Sequence, residues 1–506
     1  MARTRTLSAQ TRRRFLELTG LSGLSLAGVH LLGCGDDGSA GTGGGSAAST
    51  TSGAGGGGGA GGSGSGDCSK GWWSCGNYAP VAESEATDLP VEGTLPPELD
   101  GLYLRNGPNP LSGSSEHWFL GDGMVHGVRL QGGKALWYRA RYVQTEVLNG
   151  GSGGPPTLTE HQANTSVVHH AGRLLCLDEV GLPYELRSSD LTTIGPYDFA
   201  GALKTAMTAH PKIDPLTGEM LFFGYQLFAP TVTYHRADAM GLLTKSEEIV
   251  LPKSVMMHDF QITATRVVFM DLPILFDFDL ALSGEGFPFR WDPTNGARLG
   301  VMPREGTNAD VVWTEIDPCF VFHTWNAFDD PADPAKVVLD AIRYPDMWAM
   351  GASDFSQAGA PVRFSIPTTA GGSVGMDVIE ERAVEFPRID PRKQGLPHRY
   401  GYGLLVEPDG GQGVVAAQTL AKYDFVSGTT VDIYMPDGLR IDEPTFVPAS
   451  PDAGEDEGWL FVYGYDAATD KSELVILDAT TNQVLARVKL PVRVPHGFHG
   501  TWVPGG

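Results

Sequence analysis

From about Val91 onward, apolar and polar residues alternate over short runs, and clusters of Gly, Pro, Asp, Asn and Ser separate the runs. A period of two puts successive side chains on opposite faces of a strand, so the runs predict half-buried β-strands. Long stretches with helical spacing are scarce, and few helices are predicted. Residues 167–177 read as two strands about a tight turn, and residues 213–223 as another hairpin. The rhythm of strand, Asp-containing turn and strand returns at residues 423–431 and 474–485. Many hairpins of similar length favour an all-β fold of the β-propeller type, with a barrel or sandwich as the next choice. No self-similar repeat strengthens that choice.

Composition narrows the function classes. The 506 residues carry 36 Lys and Arg against 60 Asp and Glu, a net charge of −24 that argues against a nucleic-acid partner. With 41% hydrophobic and only 19% charged residues, the chain is not disordered throughout. Much of its glycine sits in residues 38–66, where 15 of 29 positions are Gly. Such a tract predicts a flexible tether and leaves ample chain for a large core.

The first residues change the cellular picture. Thr11-Arg12-Arg13-Arg14-Phe15-Leu16-Glu17 precedes an apolar stretch, residues 18–33, too short for a comfortable membrane span. The paired arginines resemble the twin-arginine export motif, and Leu31-Leu32-Gly33-Cys34 resembles a lipoprotein lipobox. The resemblance implies a signal peptide over residues 1–33, a tether over 34–66 and an N-terminal extension over 67–90. The body of the chain then occupies 91–506. It also implies export of folded cargo and membrane association through acylated Cys34. Gly35 stands where an Asp would favour inner-membrane retention, so a periplasmic or cell-surface lipoprotein of the outer membrane is expected. Cys68 and Cys75 are close enough for a small disulfide loop, or they are two free thiols. Cys176 and Cys319 sit in apolar runs and read as core.

Of 13 histidines, four lie in contexts rich in aromatics, small residues or Asp: His210, His258, His323 and His499. Their gaps of 48, 65 and 176 residues are what separate blades of one propeller would supply. Taken singly, each reads as an ordinary core or surface residue.

At these residues the chain resembles the carotenoid cleavage oxygenase family, from about residue 91 to 506. The supporting segments are Gly101-Leu102-Tyr103-Leu104-Arg105-Asn106-Gly107-Pro108, His117-Trp118-Phe119-Leu120-Gly121-Asp122-Gly123, and Val494-Pro495-His496-Gly497-Phe498-His499-Gly500. The resemblance implies a seven-bladed β-propeller with a dome of loops and helices over an axial metal site. It implies that His210, His258, His323 and His499 hold Fe(2+), and that Glu179, Glu385 and Glu443 stand behind His258, His323 and His499, leaving His210 without such a partner. Without it, these glutamates read as solvated strand-end carboxylates.

Four neutral imidazoles suit Fe(II), but also Cu, Zn or Ni. The implied chemistry is a dioxygenase reaction with O2 that inserts both oxygen atoms across a C=C bond and gives two carbonyl fragments, without an added reductant. The expected substrate is a hydrophobic polyene, a carotenoid or apocarotenoid, acted on by a monomer. A stilbene is the alternative, weakened by the lack of any Lys between Lys134 and Lys204. Isomerase-like chemistry and a non-catalytic ligand-binding propeller are the other readings. Leu120 departs from the family, which commonly has Asp before Gly-Asp-Gly; the position is not a ligand, so local loop packing is what it puts in question.

Overall fold

The computed structural model describes residues 66–506 except 152–156, 284–286, 352–354, 356 and 407–416. The twin-arginine motif, the lipobox with Cys34 and the glycine-rich tract to residue 65 lie outside the described residues.

The hairpins close as their turn chemistry dictates. Ser166–His170 and Arg173–Leu177 meet at Ala171 and Gly172, both with positive φ, the geometry whose twist matches antiparallel strands. Two of the Asp-containing turns share one device: the Asp Oδ1 accepts hydrogen bonds from the amides two and three residues on. Asp214 holds Leu216 and Thr217 this way, and Asp424 holds Val426 and Ser427. Each such turn ends on a glycine, Gly218 or Gly428, in the left-handed region.

Seven antiparallel sheets follow one another around an axis, making a seven-bladed propeller. The second blade begins at Ser166–His170, the third at Lys212–Ile213, the fourth at Gln261–Ile262, the fifth at Thr324–Asp329, the sixth at Val384–Arg388 and the seventh at Arg440–Ile441. The first blade is shared between the chain's two ends. C-terminal Gly500–Pro504 pairs with Gly101–Pro108, which continues to Gly123–Gln131, Lys134–Tyr142 and Ser84–Thr87. In return, N-terminal Val91–Gly93 pairs with Val484–Lys489 on the outer edge of the seventh blade. The ring is thus closed at two seams, at each of which an N-terminal strand pairs with a C-terminal one.

Between the blades lie four apolar clusters rich in Val, Leu, Ile, Phe and Tyr, and both Cys176 and Cys319 are buried in them. Over the axis, loops predominate. Among the described residues the helices are the six-residue Phe278–Ser283 and single 3-10 turns, and none is long and apolar enough to cross a membrane.

Candidate metal centre

Each candidate histidine stands at the N-terminal end of an innermost strand. His210 precedes Lys212–Ile213, His258 precedes Gln261–Ile262, and His323 and His499 directly precede Thr324–Asp329 and Gly500–Pro504. One ring nitrogen from each lies within 4.8 Å of the others. His258 Nε2 is 3.0 Å from His210 Nε2 and 3.3 Å from His323 Nε2. The His499 ring centre is 4.5 Å from that of His210 and 4.8 Å from that of His323.

The three glutamates come from the remaining blades, so the seven residues arise one from each blade. Glu385 Oε2 meets His323 Nδ1 at 2.5 Å, Glu443 Oε1 meets His499 Nδ1 at 2.7 Å, and Glu179 contacts His258 Nδ1. Among the described residues no carboxylate reaches the His210 ring. Each glutamate is held by a second group that the sequence reading did not single out. Tyr225 donates its hydroxyl to Glu179 at 2.9 Å, Tyr344 to Glu385 at 2.5 Å, and Arg388 donates to Glu443 at 2.6 Å. Arg388 had a visible signal, three residues beyond Glu385; the tyrosines lie 46 and 41 residues from their partners and had none.

Local backbone features aim these groups. Between Glu385 and Arg388 the ladder shifts register, and Phe386 takes φ 51°, a region costly for an aromatic residue. The Phe386 amide donates back to Glu385 Oε2 at 2.7 Å, and its ring stacks on His323. Near His499 two backbones meet closely: a Cβ on Gly107 would lie 2.8 Å from the Gly497 Cα. Asp259 fastens together the three blades that carry His210, His258 and His323. It pairs with Lys212 at 2.7 Å and accepts from the Thr324 hydroxyl at 2.6 Å. Leu120 ends a short 3-10 turn whose loop is tied down by Asn164, which donates to the carbonyls of Phe119 and Gly121.

The electrostatics fit a divalent cation. Burial, then the neighbouring rings of His499, His258 and His323, push His210 well below the usual imidazole range. Burial likewise lowers His499 to about 4, although Glu443 opposes it. Burial opposes the charge of Glu443, yet Arg388 and His499 hold its carboxyl at about 2. His258 differs: burial lowers it, but Glu179 outweighs that and raises it. Nδ1 of His258 and of His323 is turned to a carboxylate, and where both rings are neutral their Nε2 lone pairs face each other across 3.3 Å. A cation between them removes that repulsion. Three carboxylates against one Arg388 guanidinium leave two negative charges, which a divalent ion neutralises.

Aromatic side chains wrap the centre. Phe322 meets the His258 ring edge-on at 5.2 Å, and Phe119 touches both Phe322 and Phe498. Phe119 and Phe287 remain half-buried, and so present apolar faces.

Residues 78–504 match the sequence model described as RPE65, retinal pigment epithelial membrane protein. A carotenoid cleavage oxygenase of Mycobacterium tuberculosis is 38% identical, with 85% of this chain and 97% of that protein aligned. A carotenoid 9,10(9',10')-cleavage dioxygenase of Arabidopsis thaliana is 33% identical over 85% of this chain and 89% of its own length. Among solved structures, a Pseudomonas brassicacearum lignostilbene dioxygenase superposes with a TM-score of 0.77 at 30% identity, covering 85% of this chain and 97% of that one. A chain so matched along its propeller is an enzyme of the oxidoreductase class and belongs to the carotenoid cleavage oxygenase/RPE65 family.

Proposed function

We propose that the protein is an Fe(II) dioxygenase that cleaves a C=C bond of a carotenoid or apocarotenoid with O2, giving two carbonyl products. The observation that carries this is the convergence of His210, His258, His323 and His499, three of them backed by carboxylates, beside aromatic rings. Bound Fe(II) supplies the redox centre at which O2 is activated.

The chain's residues do the rest. Glu179, Glu385 and Glu443 accept hydrogen bonds from the Nδ1–H groups, which fixes each ring's tautomer and turns Nε2 inward. His210 is positioned without a carboxylate. Its amide donates to Thr208 Oγ1 at 3.1 Å. Phe322, Phe386 and Phe498 exclude water and offer apolar contact to a polyene.

The cellular setting is part of the same reading. Twin-arginine export would let the metal load before the chain meets competing ions, and acylated Cys34 would anchor the folded enzyme at the outer membrane. The Cys68–Cys75 disulfide supports an oxidising destination.

The test is anaerobic reconstitution of the purified chain with Fe(II), followed by O2 uptake and mass spectrometry of products from carotenoids, apocarotenals and stilbenes. Two carbonyl fragments from a polyene, lost on chelation and regained with Fe(II), are expected. Cleavage of stilbenes alone would transfer the reading to that substrate class, and bound metal with no turnover on any of them would remove it.

A further inference from the structure

Residues 66–77 lie ahead of the stretch matched to the family, and Cys68 and Cys75 close them into a loop. The loop is a chain of 3-10 turns, Cys68–Lys70, Trp72–Ser74 and Gly76–Tyr78, with no core of its own. Its place is therefore set by what it docks on. Trp73 is buried, and its Nε1 donates to the Ser115 carbonyl at 3.2 Å. Asn77 Nδ2 donates to the Val494 carbonyl at 3.0 Å, and the Asn77 carbonyl accepts from the His496 amide at 2.8 Å. Both partners lie on the segment that leads to His499.

Trp72 is different from Trp73, because it stays half-buried. Its ring lies 4.9 Å from Tyr78 and 5.2 Å from Trp118. Trp118 in turn sits 4.5 Å from Phe498, the neighbour of His499. A partly exposed indole, also packed edge-on by Trp73 and Phe355, is thus joined through Trp118 to Phe498, the residue next to His499 in the chain. A long polyene with one C=C at the centre must extend well beyond it, and a flat π-face is what its distal end would meet.

We propose that Trp72 is a specificity-determining residue for long apolar substrates, and that the Cys68–Cys75 disulfide holds it in place. This rests on the reading of the centre as a C=C-cleaving site. The experiment uses the iron-loaded full chain, with Trp72→Ala, Trp72→Phe and the double variant Cys68→Ser/Cys75→Ser. The substrates are one long apocarotenal and a counterpart shortened at the end far from the cleaved bond.

For Trp72→Ala, KM for the long substrate should rise about 3- to 10-fold, with kcat and iron per chain unchanged and the short substrate unaffected. Trp72→Phe should restore most of the loss, and the double Ser variant should shift the same KM in the same direction. An unchanged KM, an equal loss on both substrates, or lost iron would overturn the proposal. An unmoved KM in the double Ser variant would remove the disulfide's part. If the wild type cleaves neither substrate, dissociation constants from quenching of tryptophan fluorescence by the same two compounds decide the matter. Weaker binding of the long one alone in Trp72→Ala supports the role of Trp72 even though the cleavage reading has failed, and equal constants refute it.

Discussion

Removing one imidazole from the four changes the centre more than any other single substitution. His323→Ala leaves an underfilled site and strands Glu385, whose carboxyl is held ionised, against its burial, chiefly by that ring. Loss of bound iron and of activity is expected, read by metal analysis and O2 uptake. His169→Ala, on a strand away from the four rings, should leave both nearly intact. Glu385→Gln should be milder, about a 10- to 100-fold loss in iron affinity or turnover, because the ring keeps an acceptor but loses the negative charge that raises its basicity. Tyr344 sharpens this, since its hydroxyl donates to the other carboxylate oxygen, and where Gln presents its NH2 there the hydroxyl must turn to accept instead. If Glu385→Gln matched the wild type in both measurements, the carboxylate would have no part in holding the ring. At this scale the sequence was informative where chemistry lies in short motifs, as at His496-Gly497-Phe498-His499. It was silent on Tyr225 and Tyr344, because blade-against-blade packing decides which phenol meets which carboxylate.

At the scale of elements, the hairpins were legible because strand period and Asp-Gly turn chemistry are local. Both strands and the turn at residues 423–431 appear as Thr419–Asp424 and Thr429–Tyr434 about Gly428. What holds one blade to the next was not legible, because those contacts join residues far apart in sequence. Asp259 is the clearest case. It is 2% exposed, and it joins Lys212 of the third blade to Thr324 of the fifth across its own. Asp259→Ala leaves the Lys212 ammonium buried without its carboxylate, and breaking such a pair costs about 3–5 kcal/mol. A clear fall in Tm is expected, measured on the metal-free protein so that lost metal does not confound it. Iron affinity should fall as well, because the residues following His210, His258 and His323 lose their common fastening. An unchanged Tm would mean that hydrophobic packing alone keeps the three blades in register.

At the scale of the whole molecule, the two seams make the propeller a closed body whose N- and C-terminal strands hold one another. A fold of this kind gains nothing in shape from a distant N-terminal anchor, and the proposed metal centre draws its histidines and glutamates from all seven blades rather than from the extension. The membrane attachment proposed at Cys34 should therefore be separable from catalysis. Cys34→Ser is expected to lose labelling by a radioactive fatty acid and to move from the membrane to the soluble fraction, while the protein keeps its iron and its turnover. The net charge of −24 makes this partition informative, because an acidic body is not drawn to anionic lipid headgroups by charge. Two acyl chains would provide stable attachment without that help. Retention of Cys34→Ser on the membrane after a high-salt wash would point instead to an apolar surface of the body itself. Equal labelling of wild type and variant would place the acyl group elsewhere, and the lipobox reading of Leu31-Leu32-Gly33-Cys34 would fall.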